Sequence, residues 1–206
     1  MADYQSLYRD FRWEVPEYFN FGDHIDRYAA DRRRVAILWE DQQGRRARLT
    51  FADIRAQSAR IANVLAGSGV ARGDPVMLVL PRVALWQAAY IGALKAGAVV
   101  IPCTAMLREK DLFYRANHSG ARAIIASHDC ATVIADLKNQ CPTLKHFFIA
   151  GSARTGWESL QESMQAASDT FAPAATRSSE PAICYYTSGT TKEPKAVLHS
   201  HAYTWA

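Results

Sequence analysis

Hydrophobic and polar positions alternate in two ways along the chain, and each way predicts a different kind of element. Short apolar runs predict strands at residues 35–40, 46–50, 76–80, 98–101, 121–126, 145–150 and 182–186. Apolar residues at helical spacing predict helices at residues 21–31, 51–67, 85–95, 110–117, 131–139 and 157–167. Thr50 and Asp53 have the spacing of a capping box at the start of the second helix. Strands that alternate with helices are typical of βαβ units, so the sequence predicts an α/β fold with a parallel sheet.

Four segments of the chain differ in composition. Residues 1–21 hold seven aromatic residues and are expected to form a strap that packs its rings on the domain surface. Residues 22–168 carry the alternating strands and helices of an α/β subdomain. Small, polar and proline residues follow one another in residues 169–181, which predicts an exposed linker. Residues 182–206 contain two strands around a polar loop and are expected to begin a second, incomplete subdomain.

Composition excludes several classes of protein. The chain has 206 residues, of which 49% are hydrophobic and 21% charged, as in an ordinary globular protein. Its net charge of +4 is not gathered into the basic stripe of a nucleic-acid-binding protein, so small molecules are the expected partners. The four cysteines lack the spacing of a zinc site, which favours reduced, buried thiols. Because neither a signal peptide nor an apolar run of the ~18 residues that span a membrane occurs, a cytoplasmic location is expected.

The strongest functional signal is a polar loop after the apolar run at residues 182–186. A glycine lets successive N–H groups converge on one anion, hydroxyls add further donors, and lysine adds charge. The spacing is not that of a Walker A motif, and an ordinary polar hairpin turn remains an alternative. The loop is nevertheless predicted to bind a polyphosphate. Its residues are Thr187, Ser188, Gly189, Thr190, Thr191, Lys192, Glu193, Pro194 and Lys195.

The order Thr-Ser-Gly-Thr-Thr-x-x-Pro-Lys resembles the signature of the adenylate-forming superfamily, which includes acyl- and aryl-CoA synthetases, luciferases and peptide-synthetase adenylation domains. Residues 76–82, 92–102 and 112–125 are similar to the N-terminal domain of the same enzymes, and their residue order is closest to that of medium-chain acyl-CoA synthetases. The ending at residues 197–201 is similar to that of benzoate-CoA ligases. The chain departs from the family at Lys192, where glycine is usual.

The resemblance implies an incomplete N-terminal domain of an AMP-forming acid–thiol ligase. Such an enzyme uses ATP and Mg²⁺ to activate a fatty or aromatic carboxylic acid to an acyl-adenylate, which then reacts with CoA. The loop would hold the β- and γ-phosphates of ATP. The adenylation lysine would lie in a later domain, so no catalytic residue is assigned and the chain alone is expected to be inactive. The alternatives are a non-catalytic nucleotide-binding module or inert fragment, and a carrier protein in place of CoA.

Two histidines close to the loop are candidates for the substrate pocket. By the resemblance, His199 or His201 would lie near the acyl pocket or the phosphate loop. Two alternatives are solvated strand positions and a metal pair on one strand face, although no third ligand is near and no metal site is assigned. Glu180 is expected to form a structural salt bridge. The strand around residues 196–201 would leave an apolar edge open, which predicts self-association.

Overall fold

A mostly parallel sheet forms the centre of the molecule, in a computed structural model that describes residues 3–134, 140–151, 154–187 and 193–205. The strands are β1 Val35–Glu40, β2 Arg46–Thr50, β3 Pro75–Val79, β4 Val99–Cys103, β5 Ala123–Ser127, β6 His146–Ala150, β7 Glu158–Ser159, β8 Pro181–Thr187 and β9 Lys195–Ser200. The helices are α1 Tyr4–Asp10, α2 Phe21–Asp26, α3 Phe51–Gly67, α4 Leu85–Lys95, α5 Glu109–Ser119, α6 His128–Val133 and α7 Leu160–Ala166. Short 3₁₀ helices cover Arg27–Ala30 and His201–Trp205.

Within the described ranges, the large sheet has the strand order β7-β6-β5-β3-β4-β8-β9. Its neighbouring strands run parallel except for β8 and β9, which pair antiparallel at one edge. The strands β1 and β2 form a separate antiparallel hairpin. The α/β class with a parallel sheet is therefore confirmed. Among the helices in the described ranges, none has the length and apolar character that crossing a membrane requires.

The two faces of the sheet bury alternate residues of each strand. In β3, Val76 and Leu78 face a core cluster that includes residues of α3, α4 and α7. Met77 and Val79 face the other cluster, with residues of α5 and α6. The connection from β3 to β4 and the return from β4 to β5 run in opposite directions along the sheet. Right-handed crossovers therefore place α4 and α5 on opposite faces.

Local sequence signals explain how α3 starts and how closely it packs. The Thr50 hydroxyl accepts a hydrogen bond from the Asp53 N–H at 3.2 Å, and the Asp53 carboxylate accepts one from the Thr50 N–H at 2.8 Å, as the predicted capping box requires. The buried face of α3 then lies against α4. At Gly92 the two helices are so close that an added Cβ would lie 2.8 Å from the carbonyl oxygen of Ser58.

The thiols pack as the sequence indicates. All four cysteines are free and buried, so they act as small apolar side chains in the interior. Burial raises the pKa of Cys103 to about 12. A thiol held in its neutral form is a poor nucleophile, which supports a packing role for this residue.

Three predicted helices differ from those observed by more than two residues at one end. The helix predicted at 21–31 is α-helical only to Asp26, where the Asp26 carboxylate binds Lys95, and a 3₁₀ turn follows. The helix predicted at 131–139 begins earlier, at His128, because Ser127 caps it; residues 135–139 of that prediction lie outside the described residues. The helix predicted at 157–167 starts only at Leu160, because Glu158–Ser159 pairs with β6.

The segment at residues 169–181 is not exposed throughout. Thr176 and Ser178 are buried, and the Thr176 hydroxyl donates to the carbonyl oxygen of Phe19 at 2.8 Å. The Phe19 N–H donates back to the Thr176 carbonyl oxygen at 3.0 Å. These non-local hydrogen bonds tie the segment to the start of the chain. A prediction from local composition does not see these distant partners, so it overstates how exposed the segment is.

The aromatic N-terminal segment packs only in part. Phe19 is buried, and its ring meets that of Trp205 edge to face at 5.0 Å. The Trp205 indole N–H donates to the carbonyl oxygen of Glu14 at 2.9 Å. Five other rings of this segment are exposed: Tyr4, Tyr8, Phe11, Trp13 and Tyr18. Because β8 pairs with β4, the strands after residue 181 belong to the same sheet as those before it, and the division into subdomains stays a prediction.

Candidate functional site

The polar loop joins β8 to β9 at the carboxyl edge of the parallel strands. Thr187 and Lys195 form the last residue pair of the antiparallel ladder, and Tyr186 and Ala196 form the pair before it. Since β8 runs parallel to β4, its last residue, Thr187, lies at the edge where open α/β sheets bind their ligands. Ser188, Gly189, Thr190, Thr191 and Lys192 lie outside the described residues.

The predicted loop residues that the structure describes lie on both sides of that connection. Thr187, Glu193 and Lys195 are exposed at this edge of the sheet. Pro194 is half-buried and lines, together with Glu193 and helix α5, an open pocket of about 660 Å³. The structure therefore brings the two ends of the signature together beside a cleft of a size that suits a small ligand.

Helix α5 supplies contacts to this hairpin that sequence reasoning missed. The Tyr114 hydroxyl donates to the carbonyl oxygen of Pro194 at 3.1 Å. The His118 Nδ1 atom lies 2.9 Å from the Tyr186 hydroxyl oxygen. Burial raises the pKa of Tyr186 to about 12, so its hydroxyl stays protonated. Tyr114 and Pro194 are 80 positions apart in the chain, so no local pattern points to the contact.

His199 lies on the opposite face of the hairpin, in a layer of aromatic rings. Its ring centroid is 5.5 Å from that of Tyr185 and 4.2 Å from that of Tyr203. Burial, followed by the neighbouring Tyr185, raises the pKa of Tyr90, whose ring stacks on Trp86 at 5.2 Å. The arrangement offers an apolar aromatic wall with a few polar tips, as small-molecule pockets do.

His201 occupies a different environment. It follows the end of β9 and opens the last 3₁₀ helix, so it does not share a strand with His199 and lies at the far end of β9 from the loop. Its side chain is fully buried, and neither ring nitrogen has a hydrogen-bond partner among the described residues. Burial lowers the pKa of His201 to about 4, while nearby Glu180 acts in the opposite direction.

No metal centre emerges from the described part of the chain. Its His, Cys, Asp and Glu side chains do not form a group of three or more that could hold a metal ion. The alternative of a metal pair at His199 and His201 also loses its geometric basis, because only His199 belongs to the strand.

Glu180 forms the structural salt bridge that the sequence predicts. Its carboxylate accepts a hydrogen bond from Arg72 Nε at 2.8 Å and another from the Arg177 N–H at 2.9 Å. The Arg72 guanidinium, and then the Arg177 N–H, hold the pKa of Glu180 at about 2. The pair lies at the start of β8, at the opposite end of that strand from the loop.

Known proteins resemble this chain along most of its length. It is 33% identical to the rat acyl-coenzyme A synthetase ACSM3 over 210 residues, covering 98% of this chain and 36% of the relative. It is 37% identical to the human acyl-coenzyme A synthetase ACSM5 over 197 residues, covering 91% of this chain and 34% of the relative. The chain thus spans about a third of the length of these curated relatives.

Solved structures and family comparison agree with these relatives. The crystal structure of an acyl-CoA synthetase from Brucella canis superimposes with a TM-score of 0.87 at 25% identity, over 98% of this chain and 38% of that one. The family described as AMP-binding enzyme matches residues 25–206. The signature hairpin, the parallel sheet and the relatives agree with this match. The chain therefore belongs to the AMP-binding enzyme family.

Proposed function

We propose that the loop between β8 and β9 binds the phosphates of ATP and that the chain contributes this site to an acyl-CoA synthetase. The observation that carries the proposal is the position of the signature residues. The signature begins at Thr187 and ends at Lys195, and these two residues form the last pair of the ladder at the carboxyl edge of the parallel strands. In a chain of the AMP-binding family, this is where a nucleotide would meet a preformed polar edge.

The first proposed half-reaction joins the acid to the nucleotide. A carboxylate oxygen attacks the α-phosphorus of ATP, and the bond from that phosphorus to the bridging oxygen breaks as pyrophosphate leaves with the electron pair. The loop lowers the barrier by placing hydrogen-bond donors and the Lys195 charge where negative charge collects on the pyrophosphate. Bound Mg²⁺ would supply further positive charge.

In the second half-reaction the CoA thiol attacks the acyl carbon of the adenylate and AMP departs. We assign the carboxylic acid to the fatty or aromatic class. The layer formed by Tyr90, Tyr185, His199 and Tyr203 supports this assignment, because it presents an apolar wall beside the hairpin. In this proposal His199 contacts the acid, whereas buried His201 has a structural role.

Carboxylate-dependent exchange of labelled pyrophosphate into ATP tests the proposal. The exchange is measured on a polypeptide that joins this chain to the part of human ACSM5 that follows the matched region. Exchange that requires a fatty or aromatic acid supports the assignment. ATP binding without exchange would instead indicate the non-catalytic nucleotide-binding module, and a folded protein that binds no ATP would contradict both. Formation of an acyl-CoA that depends on added CoA separates CoA from a carrier protein as the acceptor.

The open edge of the sheet supports a proposal about assembly. β9 ends the sheet in the described part of the chain, and Val197 and Leu198 on it are 40% and 61% exposed. Unpaired edge strands with apolar side chains pair readily with another chain, so we propose self-association of this polypeptide through β9. Sedimentation of Leu198→Lys should give a smaller species than the parent chain. A cytoplasmic location stays an expectation, since the names of the ACSM relatives place those proteins in mitochondria.

A further inference from the structure

We propose that helix α5 positions the phosphate loop by holding both of its flanks, with Tyr114 and His118 as the positioning residues. This inference rests on the proposed function, because it assigns a role to residues around that same loop. Neither residue belongs to the signature, and both lie on the surface of α5 that faces the hairpin.

The flank that follows the loop is held through a backbone carbonyl. The Tyr114 hydroxyl donates to the Pro194 carbonyl oxygen at 3.1 Å. Pro194 immediately precedes Lys195, the first residue of β9. The proline ring also fixes the backbone φ angle at this point, so a single hydrogen bond suffices to orient the peptide group that leads into Lys195.

The flank that precedes the loop is held through a side chain. Tyr186 immediately precedes Thr187, and its hydroxyl lies 2.9 Å from His118 Nδ1. The Tyr186 ring meets the rings of His118 and Tyr114 edge to face, with centroids 5.7 and 6.2 Å away. The Arg115 guanidinium lies 5.3 Å from the centre of the same ring. Two ring contacts, a hydrogen bond and a cation–π contact thus fix the position of Tyr186.

The two positioning residues, Tyr114 and His118, lie together on α5 and contact both flanks of the loop. Tyr114 and His118 are four residues apart on α5, so they lie on one side of the helix, and their rings stack at 5.2 Å. His118 contacts Tyr186, on the strand that enters the loop. Tyr114 contacts Pro194, just before the strand that follows the loop. The helix therefore sets the separation of the hairpin flanks on either side of the Thr187–Lys195 pair. A loop whose ends are already placed loses less conformational freedom when phosphate binds.

Hydrogen exchange of the free chain tests the positioning without any activity. Tyr114→Phe removes one hydroxyl and keeps the ring. We expect amide exchange in the segment 183–197 to become about three- to tenfold faster, as the loss of one hydrogen bond allows. Asn117→Ala is the matched control, since Asn117 is on the same helix but its side chain bonds to Phe113 and Cys141. This control should leave exchange in the hairpin unchanged.

A second pair of variants tests the role of His118. His118→Leu should accelerate exchange in the hairpin to a similar extent. His118→Asn should restore slow exchange, because its amide group places a polar atom near the position of Nδ1. A rescue of this kind would not occur if the residue only filled space. Unchanged exchange in both Tyr114→Phe and His118→Leu, or acceleration spread evenly over the whole chain, would overturn the proposal.

Nucleotide use provides the readout that connects positioning to function. In the joined polypeptide used for pyrophosphate exchange, Tyr114→Phe should raise KM for ATP about three- to tenfold and leave kcat nearly unchanged. Faster hairpin exchange with no ATP binding in the parent chain would overturn the proposed function while supporting the anchoring by α5. Normal ATP use with unchanged hairpin exchange would overturn the anchoring and leave the proposed function intact.

Discussion

Asp26 Oδ1 lies 2.8 Å from Lys95 Nζ, and the lysine side chain is fully buried while the aspartate stays partly exposed. Burial lowers the pKa of Lys95 and raises that of Asp26, and in each case the hydrogen bond between them acts in the opposite direction. The pair joins α2 to the end of α4. Lys95 also accepts the Ala174 N–H through its carbonyl oxygen at 2.8 Å, so three segments of the chain meet at this residue.

The two partners of this ion pair should not be equivalent. Asp26→Asn leaves a buried ammonium without its counter-charge and should lower the free energy of unfolding by about 3 kcal/mol. Lys95→Met removes the buried charge, keeps a similar volume and leaves a carboxylate that reaches water, so its cost should be about 1 kcal/mol. Urea denaturation of both variants measures the ranking. A larger loss for Lys95→Met would show that the charge itself stabilises the fold.

Close packing of α3 on α4 predicts opposite effects for two glycines. An alanine Cβ at Gly92 would lie 2.8 Å from the Ser58 carbonyl oxygen and 2.9 Å from Ile61 Cβ, so Gly92→Ala should destabilise the fold by about 1–3 kcal/mol. Gly67, at the end of α3, has open space around the same position and no positive φ. Gly67→Ala should therefore be neutral or stabilising by up to ~1 kcal/mol. Equal thermal midpoints for the two variants would contradict the packing.

Buried His201 should make stability depend on pH. Its pKa is 6.5 in the unfolded chain and about 4 in the fold, so the unfolded state binds the extra proton between these values. The stabilisation is complete above pH 6.5 and is lost as the pH falls towards 4, by on the order of 3 kcal/mol. The His201→Leu variant has no titratable group at this position. Its free energy of unfolding, measured by urea denaturation, should fall less steeply between pH 7.5 and 4.5 than that of the parent. Parallel curves for the parent and the variant would contradict the assignment.

Local signals predicted the elements whose determinants lie close together in the chain. The helix Leu85–Lys95 and the strands Val35–Glu40 and Arg46–Thr50 have the bounds that the sequence predicts. The last α-helix begins at Leu160, three residues after the predicted start at Trp157. The Trp157 ring meets Phe147 edge to face at 5.4 Å, and Ser159 caps the helix by accepting the Glu162 N–H at 3.3 Å. The Ser-x-x-Glu spacing was visible in the sequence and would have corrected the boundary.

The site could be predicted only where one segment carries it. The phosphate loop is a continuous string, so its residue order was sufficient to suggest a ligand. The contacts of Tyr114 and His118 to the hairpin join positions far apart in the chain, and only the fold brings them together. The difference between His199 and His201 has a similar cause. The strand ends at Ser200, and burial of the next side chain depends on how the chain end packs on the sheet.

The two lysines of the signature should differ in their effect on nucleotide use. Lys195 matches the family pattern, and it pairs with Thr187 at the base of the loop. Loss of a charge-assisted hydrogen bond to phosphate should cost about 1.5–3 kcal/mol, so Lys195→Ala should raise KM for ATP by roughly 10- to 150-fold. Lys192→Ala should cost less. The control is Lys145→Ala, an exposed lysine just before β6, which the strands β5, β3 and β4 separate from the hairpin. The reverse ranking in pyrophosphate exchange would place the phosphate-binding charge at Lys192.

The most direct test of the proposed phosphate site is a titration of the ¹⁵N-labelled chain with ATP, followed by amide chemical shifts. The account predicts saturable shifts in residues 187–195 and in their neighbours on α5, and much weaker changes in Lys195→Ala. Lys145→Ala should behave like the parent. Shifts confined to another surface, or none at all in a folded chain at millimolar ATP, would contradict the assignment of this hairpin as the phosphate site.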